Sequence, residues 1–495
     1  MLQYAVEKTS SYLKEMTKEK RKDIGQFFTS PETARFMAGL FDIPEKKRLT
    51  ILDPGTGSAI LSAALLERLL KSTVESVLLL CYETEAAILP LLHDVLEHIR
   101  RRASFHFDYK IVTENYITSQ KTAAPSADLI IGNPPYRKIP RLADEALAMP
   151  HVVHGAPNLY FLFAARSIEN LFQGGQLVYI IPRSWTSGAY FKAFRHFLLK
   201  QVALQHIHLF LSRDKVFEQE TVLQETMIVK LVKTAFAPRN IMITSTESNR
   251  DFKKLQKLKV PTSLVVGNDE NHYIFLITTE EEKSFLERLS VFHETLPSLG
   301  LKMKTGLTVD FRERQYLLDA PAADAVPMFF SQHLKEGRIV FPIGKHGEYL
   351  RKGKASLFQP NSNYLFVKRF TAKEEPRRLQ CSIYLHTDFP NYTEISTQNK
   401  INFITCKEQK NLSESMVYGL YCLFNSTLYD RYYRILNGST QVNSTEVNTM
   451  PMPGIAALEY MGQRLQALSD LTESRCNEVL EELLDGETKR RQKIS

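Results

Sequence analysis

The stretch "DLIIGNPPY" carries an apolar run from Asp128 into Asn133-Pro134-Pro135-Tyr136. Two consecutive prolines can neither continue a strand ladder nor start a regular helical turn, so the backbone makes a rigid stop here. Three groups are held at that stop: the Asn133 side-chain carbonyl, the Pro134 backbone carbonyl and the Tyr136 ring. A conjugated exocyclic amino group is a poor nucleophile because its lone pair is delocalised. Two acceptors on its two N–H bonds favour a tetrahedral nitrogen and the positive charge that develops as it attacks an electrophilic methyl group. This is preorganised electrostatic stabilisation, not the work of a strong base. Pro134 has no N–H to compete at the site, and Tyr136 offers a face to a flat ring. Alone, the motif also fits a plain turn after a buried strand, so its surroundings decide.

Three upstream positions supply those surroundings. In "ILDPGTGSAIL", a strand ends at Asp53 and a helix begins near Ser58; Gly55 and Gly57 between them let a ligand approach the backbone closely. Asp53 can accept hydrogen bonds from an amine or a cation. The third glycine of a dinucleotide fingerprint is absent, so no pyrophosphate cradle is expected. In "LLLCYETE", Glu83 ends a second strand, where an acid can take both ribose hydroxyls of an adenosine group. In "IVTENYI", either Glu114 or Asn115 ends a third and can meet an adenine edge. Each signal is weak singly. Together they set an adenosine-containing ligand across three strand tips, with its reactive end toward Asn133.

Positioning four tips on one edge requires a particular frame. From Leu49 to about Lys233, near-continuous apolar runs alternate with longer helical stretches. That pattern predicts an α/β fold with a doubly wound, mostly parallel sheet. Strands are expected at "LTILDPG", "SVLLLCYE", "HFDYKIVTEN", "ADLIIGN", "GGQLVYIIP", "VALQHIHLF" and "ETMIVKLVK", then at "NIMITST" and "YIFLITT". Thr29-Ser30-Pro31 is a helix start, with Ser30 as cap. The chain divides into a catalytic domain over 1–235, a region over 236–295 that completes it, and an α+β domain over 296–495 ending in C-terminal helices. With 495 residues, more than one core is expected. No apolar run approaches a membrane span, and the N-terminus lacks a signal-peptide core. Five scattered cysteines without a Cys-x-x-Cys pair read as free thiols in a reducing, cytoplasmic setting. His151 and His154 lack an acidic partner at metal spacing, so no metal is expected.

These motifs resemble those of the S-adenosylmethionine-dependent N6-adenine DNA methyltransferases that carry a C-terminal target recognition domain. The likeness extends over nearly the whole chain. "KDIGQFFTSPETARFM" is similar to the family's N-terminal cofactor motif, which implies that Thr29 and Ser30 hold the methionine carboxylate at a helix N-terminus. "LDPGTGSAIL" and "YE" resemble its cofactor loop and ribose acid. The family often has Asp at the third tip, where Asn115 stands here before Tyr116. "KVFEQETVLQETMIVKLVK" resembles the segment that closes the sheet, and implies that Phe217 sandwiches an extruded adenine against Tyr136.

The second half resembles the PstI and BsuBI group of modification methylases in "KTGLTVDFRER", "YLFVKRFTAKEEPRR", "NKINFI" and "NSTLYDRYYRILNGSTQVN". The net charge of +8 is modest, but its clustering suits nucleic acid. Lys302, Lys304, Arg312, Arg314, Lys368, Arg369, Arg377, Arg378, Arg431 and Arg434 are candidate phosphate contacts. Asn437, Gln441 and Asn443 are candidate readers of base edges. The resemblance implies double-stranded DNA as substrate, a separately encoded endonuclease as partner, and a monomer. Protein glutamine or RNA methyltransferases pose the same amino-nitrogen problem, but the large basic, aromatic second half argues against a small protein substrate. A non-catalytic DNA-binding protein is the rival of another class; the intact set of Asp53, Glu83 and Asn133 to Tyr136 argues against it.

Overall fold

The computed structural model describes residues 1–15, 29–122, 124–211, 226–267, 269–372, 374–408, 411–436 and 441–492. The chain forms two compact units, Met1–Thr279 and Glu280–Ser495.

The first unit is built on a nine-stranded sheet. Its strands are β1 (Arg48–Pro54), β2 (Ser76–Tyr82), β3 (His106–Val112), β4 (Ala127–Gly132), β5 (Leu171–Pro182), β6 (Ala203–Phe210), β7 (Thr226–Val232), β8 (Asn240–Thr246) and β9 (Gln256–Pro261). They lie in the order β3-β2-β1-β4-β5-β7-β6-β8-β9. Strands β3 to β5 are parallel, and β7 runs antiparallel to both β5 and β6. The order reverses direction between β1 and β4, and open α/β sheets bind ligands at such a switch. Ile51, Leu79, Leu129, Ile131 and Val178 are all fully buried, as strands covered on both faces must be. Helices such as Ile60–Leu69, Leu89–Arg102 and Leu159–Asn170 supply the cover.

Two sheet assignments differ from expectation. Tyr273–Thr279 is not a strand. Tyr273, Ile274 and Ile277 are buried, but Ile274 N donates to Thr186 O and Phe275 N to Val265 O, so these bonds go to the ends of two short helices and not to a neighbouring strand. The ninth strand is "QKLKVP", whose burial falls mainly on alternate residues Leu258 and Val260 at the sheet's edge. An edge strand with one wet face carries a thinner apolar signal than a buried core segment.

The second unit contains a six-stranded and a five-stranded sheet, and helices Glu414–Phe424, Thr427–Leu436, Ser444–Asn448, Ile455–Leu468 and Glu473–Gln492. The expected boundary at 295/296 moves to 279/280. The helix Glu280–Leu289 belongs with the second unit, where Arg288 pairs with Glu481 and Met452 N donates to Glu294 O. The C-terminal segment forms two helices, Ile455–Leu468 and Glu473–Gln492, separated where Ser469 turns left-handed (φ 53°). Helices Glu414–Phe424 and Ile455–Leu468 approach backbone to backbone. A Cβ on Gly419 would stand 1.9 Å from Leu458 O, and one on Gly462 1.7 Å from Ser415 O. No helix among the described residues is long and apolar enough to cross a membrane.

Candidate active site and nucleic-acid surface

Register brings the four tips together. Asp53 pairs with Cys81 and Tyr82 with Val112, while Leu52 pairs with Ile130 on the other side. Asp53, Glu83, the Glu114–Asn115 turn and Asn133 therefore leave one edge of the sheet within a few residues of level.

After β1 the chain turns sharply through Gly55 (φ 72°) and Gly57 (φ 58°). The turn is pinned by Gly55 N and Thr56 N donating to Tyr82 O at 2.8 and 3.0 Å. Gly57 N donates to Glu83 Oε2 and Glu85 N to Glu83 Oε1, both at 2.8 Å, so Glu83 is oriented from two sides. Asp53 is 1% exposed, and its Oδ2 accepts from Ser62 Oγ at 2.6 Å. Burial pushes its carboxyl up to about 7, with the Glu83 charge adding to the rise and the Ser62 hydrogen bond opposing it. Burial also raises the Glu83 carboxyl, against three backbone hydrogen bonds that lower it. Neither acid has an ion-pair partner among the described residues. Two buried carboxylates without a cation make a site suited to a ligand bearing an ammonium group and hydroxyls.

One contributor was invisible in the motifs. The N-terminal helix Leu2–Glu15 sends Thr9 Oγ1 to Ser58 Oγ at 2.7 Å, behind the glycine turn. Tyr12, on the same helix, has its hydroxyl pKa raised by burial and by the charges of Glu85 and Glu83. In sequence, residues 1–22 read as an amphipathic helix, a pattern that names no landing site.

At the third tip both alternatives are locally engaged. Glu114 is bound to Ser119 and Lys121, the latter holding its carboxyl below the usual range. Asn115 Oδ1 accepts from Ile117 N at 3.0 Å, and its Nδ2 donates to Glu145 at 2.9 Å. Tyr116 points inward to Ser167 and Asn170.

At the fourth tip, Tyr136 Oη donates to Asn133 Oδ1 at 2.8 Å, with the Ile180 carbonyl also at 3.0 Å. Asn133 Nδ2 donates to Thr29 Oγ1 at 3.3 Å. Burial raises the Tyr136 hydroxyl far above its ordinary value, so it stays protonated. The Tyr136 ring stands edge-on to Tyr160, 6.4 Å between centroids. Beyond the turn, Leu159 N donates to Arg137 O and Ile139 N to Pro157 O, tying it to the start of helix Leu159–Asn170. Ser30 caps helix Pro31–Gly39, accepting from Thr33 N. Phe217 lies outside the described residues. Among the described residues no group of three or more His, Cys, Asp or Glu is arranged to hold a metal, and His151 pairs with Glu169.

In the second unit the basic candidates separate into two sets. Lys302, Lys304, Arg312, Arg314 and Arg431 are exposed. Lys368 and Arg369 are half-buried, bonded to Gln380 and to Asn399 O. Arg378, expected at a phosphate, is instead fully buried: its Nε donates to Thr371 Oγ1 and its guanidinium lies over the Tyr433 ring. Arg377 donates to Phe424 O and Ser426 O and pairs with Glu473. Arg434 bonds Asp430, Glu375 O and Pro376 O. Asp430 in turn accepts from the Arg378 and Leu379 amides. These three arginines knit one segment to helix Thr427–Leu436, to the turn before it and to Glu473, a use that composition cannot distinguish from a surface charge. Gln441 and Asn443 are half-buried beside it, and Asn437 lies outside the described residues.

A switch-point sheet whose tips carry two buried acids, a glycine turn and an Asn-Pro-Pro-Tyr stop defines a class I methyltransferase architecture. The Eco57I restriction-modification methylase family model matches residues 73–217. The type II methyltransferase M.PstI of Providencia stuartii is 32% identical over 480 residues, covering 94% of this chain and 93% of the relative. M.BsuBI of Bacillus subtilis is 31% identical over 481 residues, covering 94% of each. The chain belongs to this family of type II restriction-modification DNA methyltransferases. Its methyl donor is S-adenosylmethionine, a sulfonium that supplies an electrophilic methyl group. Among solved structures, the type IIL restriction-modification enzyme MmeI in complex with DNA shares the fold, at TM-score 0.52 and 10% identity over 95% of this chain and 73% of that one.

Proposed function

We propose that this enzyme methylates the N6 amino group of adenine at a specific site in duplex DNA, after the base is extruded from the stack. The observation carrying this reading is the Asn133-Pro134-Pro135-Tyr136 stop, fixed at the sheet edge that also bears Asp53 and Glu83. In this reading Asn133 Oδ1 and Pro134 O receive the two amino hydrogens, and Tyr136 and Phe217 flank the base. Thr29, Ser30, Asp53, Gly55, Gly57, Glu83 and Asn115 surround the donor. Asp53 takes the ammonium end and Glu83 the ribose hydroxyls. Extrusion costs a few kcal/mol, offset by contacts in the pocket. In the second unit, Lys304, Arg312, Lys368 and Arg369 meet phosphates, and Gln441, Asn443 and Asn437 read base edges. Arg377, Arg378 and Arg434 brace the fold behind them. The natural setting is the reducing cell interior, beside a separately encoded endonuclease of matching specificity.

Mass analysis of nucleosides from duplex DNA treated with enzyme and S-adenosylmethionine tests the chemistry. N6-methyladenine is expected. Methylcytosine alone, or methyl groups on protein or RNA only, refutes it.

A further inference from the structure

The strands Leu301–Thr305, Ile401–Cys406 and Tyr364–Lys368 are neighbours in the six-stranded sheet. Thr305 pairs with Asn402, and Lys368 with Ile401. The chain therefore leaves Thr305 and Lys368 at the same end of the sheet. Each exit leads to an exposed phenylalanine. Phe311 is 62% exposed and Phe370 46%. Both have an arginine beside the ring: Arg312 at 5.7 Å from the Phe311 centroid, Arg369 at 5.5 Å from that of Phe370.

The exits are rigidly held. Arg369 N donates to Lys400 O, Thr308 N to Thr397 O and Asn399 N to Thr308 O. Gly306 packs so closely that a Cβ there would lie 2.1 Å from Gln398 O. Val442 N donates to Arg369 O, and Asn402 Nδ2 holds Val442 O at 2.7 Å. Full burial of a phenylalanine side chain is worth about 1.5–3 kcal/mol, and each of these rings, 62% and 46% exposed, forgoes roughly half of it. Two such rings on a braced platform, at an end of the sheet that also exposes Lys304 and Lys400, call for a partner that is both anionic and able to stack.

We infer that this sheet end is an aromatic contact surface for duplex DNA, on which Phe311 and Phe370 insert against base steps while the flanking cations meet the phosphates. The inference rests on the second unit binding DNA and goes beyond it by assigning an apolar, unstacking contact to two residues. Duplex DNA is the occupant because the edge combines cations with rings. Apolar wedges between base steps unstack and bend a duplex, and stacking is indifferent to salt, whereas phosphate contacts release counterions.

The two modes separate in the salt dependence of binding. Full-length protein is titrated with a duplex bearing the methylated site, across a range of salt. Phe311→Ala and Phe370→Ala are each expected to weaken binding about tenfold with the log–log slope unchanged. Arg312→Ala and Lys304→Ala are expected to lower the slope by about one contact each. Phe370→Trp, which keeps a ring, should bind far closer to wild type than Phe370→Ala. S-adenosylmethionine binding and melting temperature, unchanged in all of them, exclude misfolding. Wild-type affinity in both alanine variants overturns the inference, as does a lost slope in them, or a wild-type dimer that they dissolve. Failure of the broader reading looks different: wild-type protein that leaves DNA unmethylated.

Discussion

Asp53 offers a sharp quantitative test because its environment fixes a pH at which the site must change. The carboxyl is 1% exposed, and burial raises it to about 7. If it receives the ammonium end of the methyl donor, only its ionised form binds well. With a pKa of about 7, roughly 3% is ionised at pH 5.5 and roughly 97% at pH 8.5. Donor affinity should therefore weaken about thirtyfold, or about 2 kcal/mol, as pH falls from 8.5 to 5.5. Binding near pH 7 should release a fraction of a proton. Calorimetry in two buffers of different ionisation enthalpy measures both quantities. Asp53→Asn should bind weakly at every pH and show a much flatter profile. The sign for stability is opposite. The donor-free fold holds this proton more tightly than the unfolded chain does. The resulting stability is fully present below the ordinary carboxylate pKa of 3.8 and is lost as pH rises through about 7. The loss is at most about 4 kcal/mol, so donor-free Asp53→Asn should melt higher than wild type at pH 8.5. Wild-type donor affinity that stays constant within threefold from pH 5.5 to 8.5 would refute the assignment. So would an equal slope in Asp53→Asn.

Three further outcomes are expected. Asn133→Ala should slow single-turnover methyl transfer by at least about a hundredfold while leaving DNA affinity within twofold, read by tritiated methyl incorporation and fluorescence anisotropy. Arg378→Ala should destabilise the second unit by about 2–4 kcal/mol in urea titrations, because it opens a hole beside Tyr433 and removes a buried cation that faces the charges of Asp430 and Glu446. The same variant should leave the salt slope of DNA binding unchanged; a shallower slope would return Arg378 to the phosphate contacts. Gly462→Ala should lower the melting temperature by several degrees, since the added methyl meets the Ser415 carbonyl and the helix backbones must part.

The catalytic unit was legible where burial is complete. Strands such as "LTILDPG" and "ADLIIGN" are covered on both faces, so their sequences are mostly apolar runs, broken by Thr50 and Asp128, that end in a polar residue at the sheet edge. Their ends place Asp53, Glu83 and Asn133 at one edge of the sheet, the expected side for a ligand in an open α/β sheet. Legibility faded where one face is wet, as in Gln256–Pro261, or where a buried segment sends its hydrogen bonds outside the sheet, as Ile274 does to Thr186 at the end of a short helix. Periodicity reports burial, not the partner of each N–H. The same limit hid the docking of Thr9 on Ser58 and the touching helices at Gly419 and Gly462.

Charge was the least legible signal, for a physical reason. "KEEPRR" reads as one basic cluster, yet Arg377 and Arg378 are consumed by carbonyls, a tyrosine face and acids brought in from helices 47 to 96 positions downstream (Phe424 O at the near end, Glu473 at the far end). A guanidinium has five donors and will satisfy them internally whenever the fold supplies acceptors. Arg312 and Arg369 follow two strands that leave the sheet at one end, and a phenylalanine ring lies beside each. What marks that end as a surface for a partner is therefore not the number of cations. It is that cations and exposed rings occur together just beyond strand exits braced by backbone hydrogen bonds.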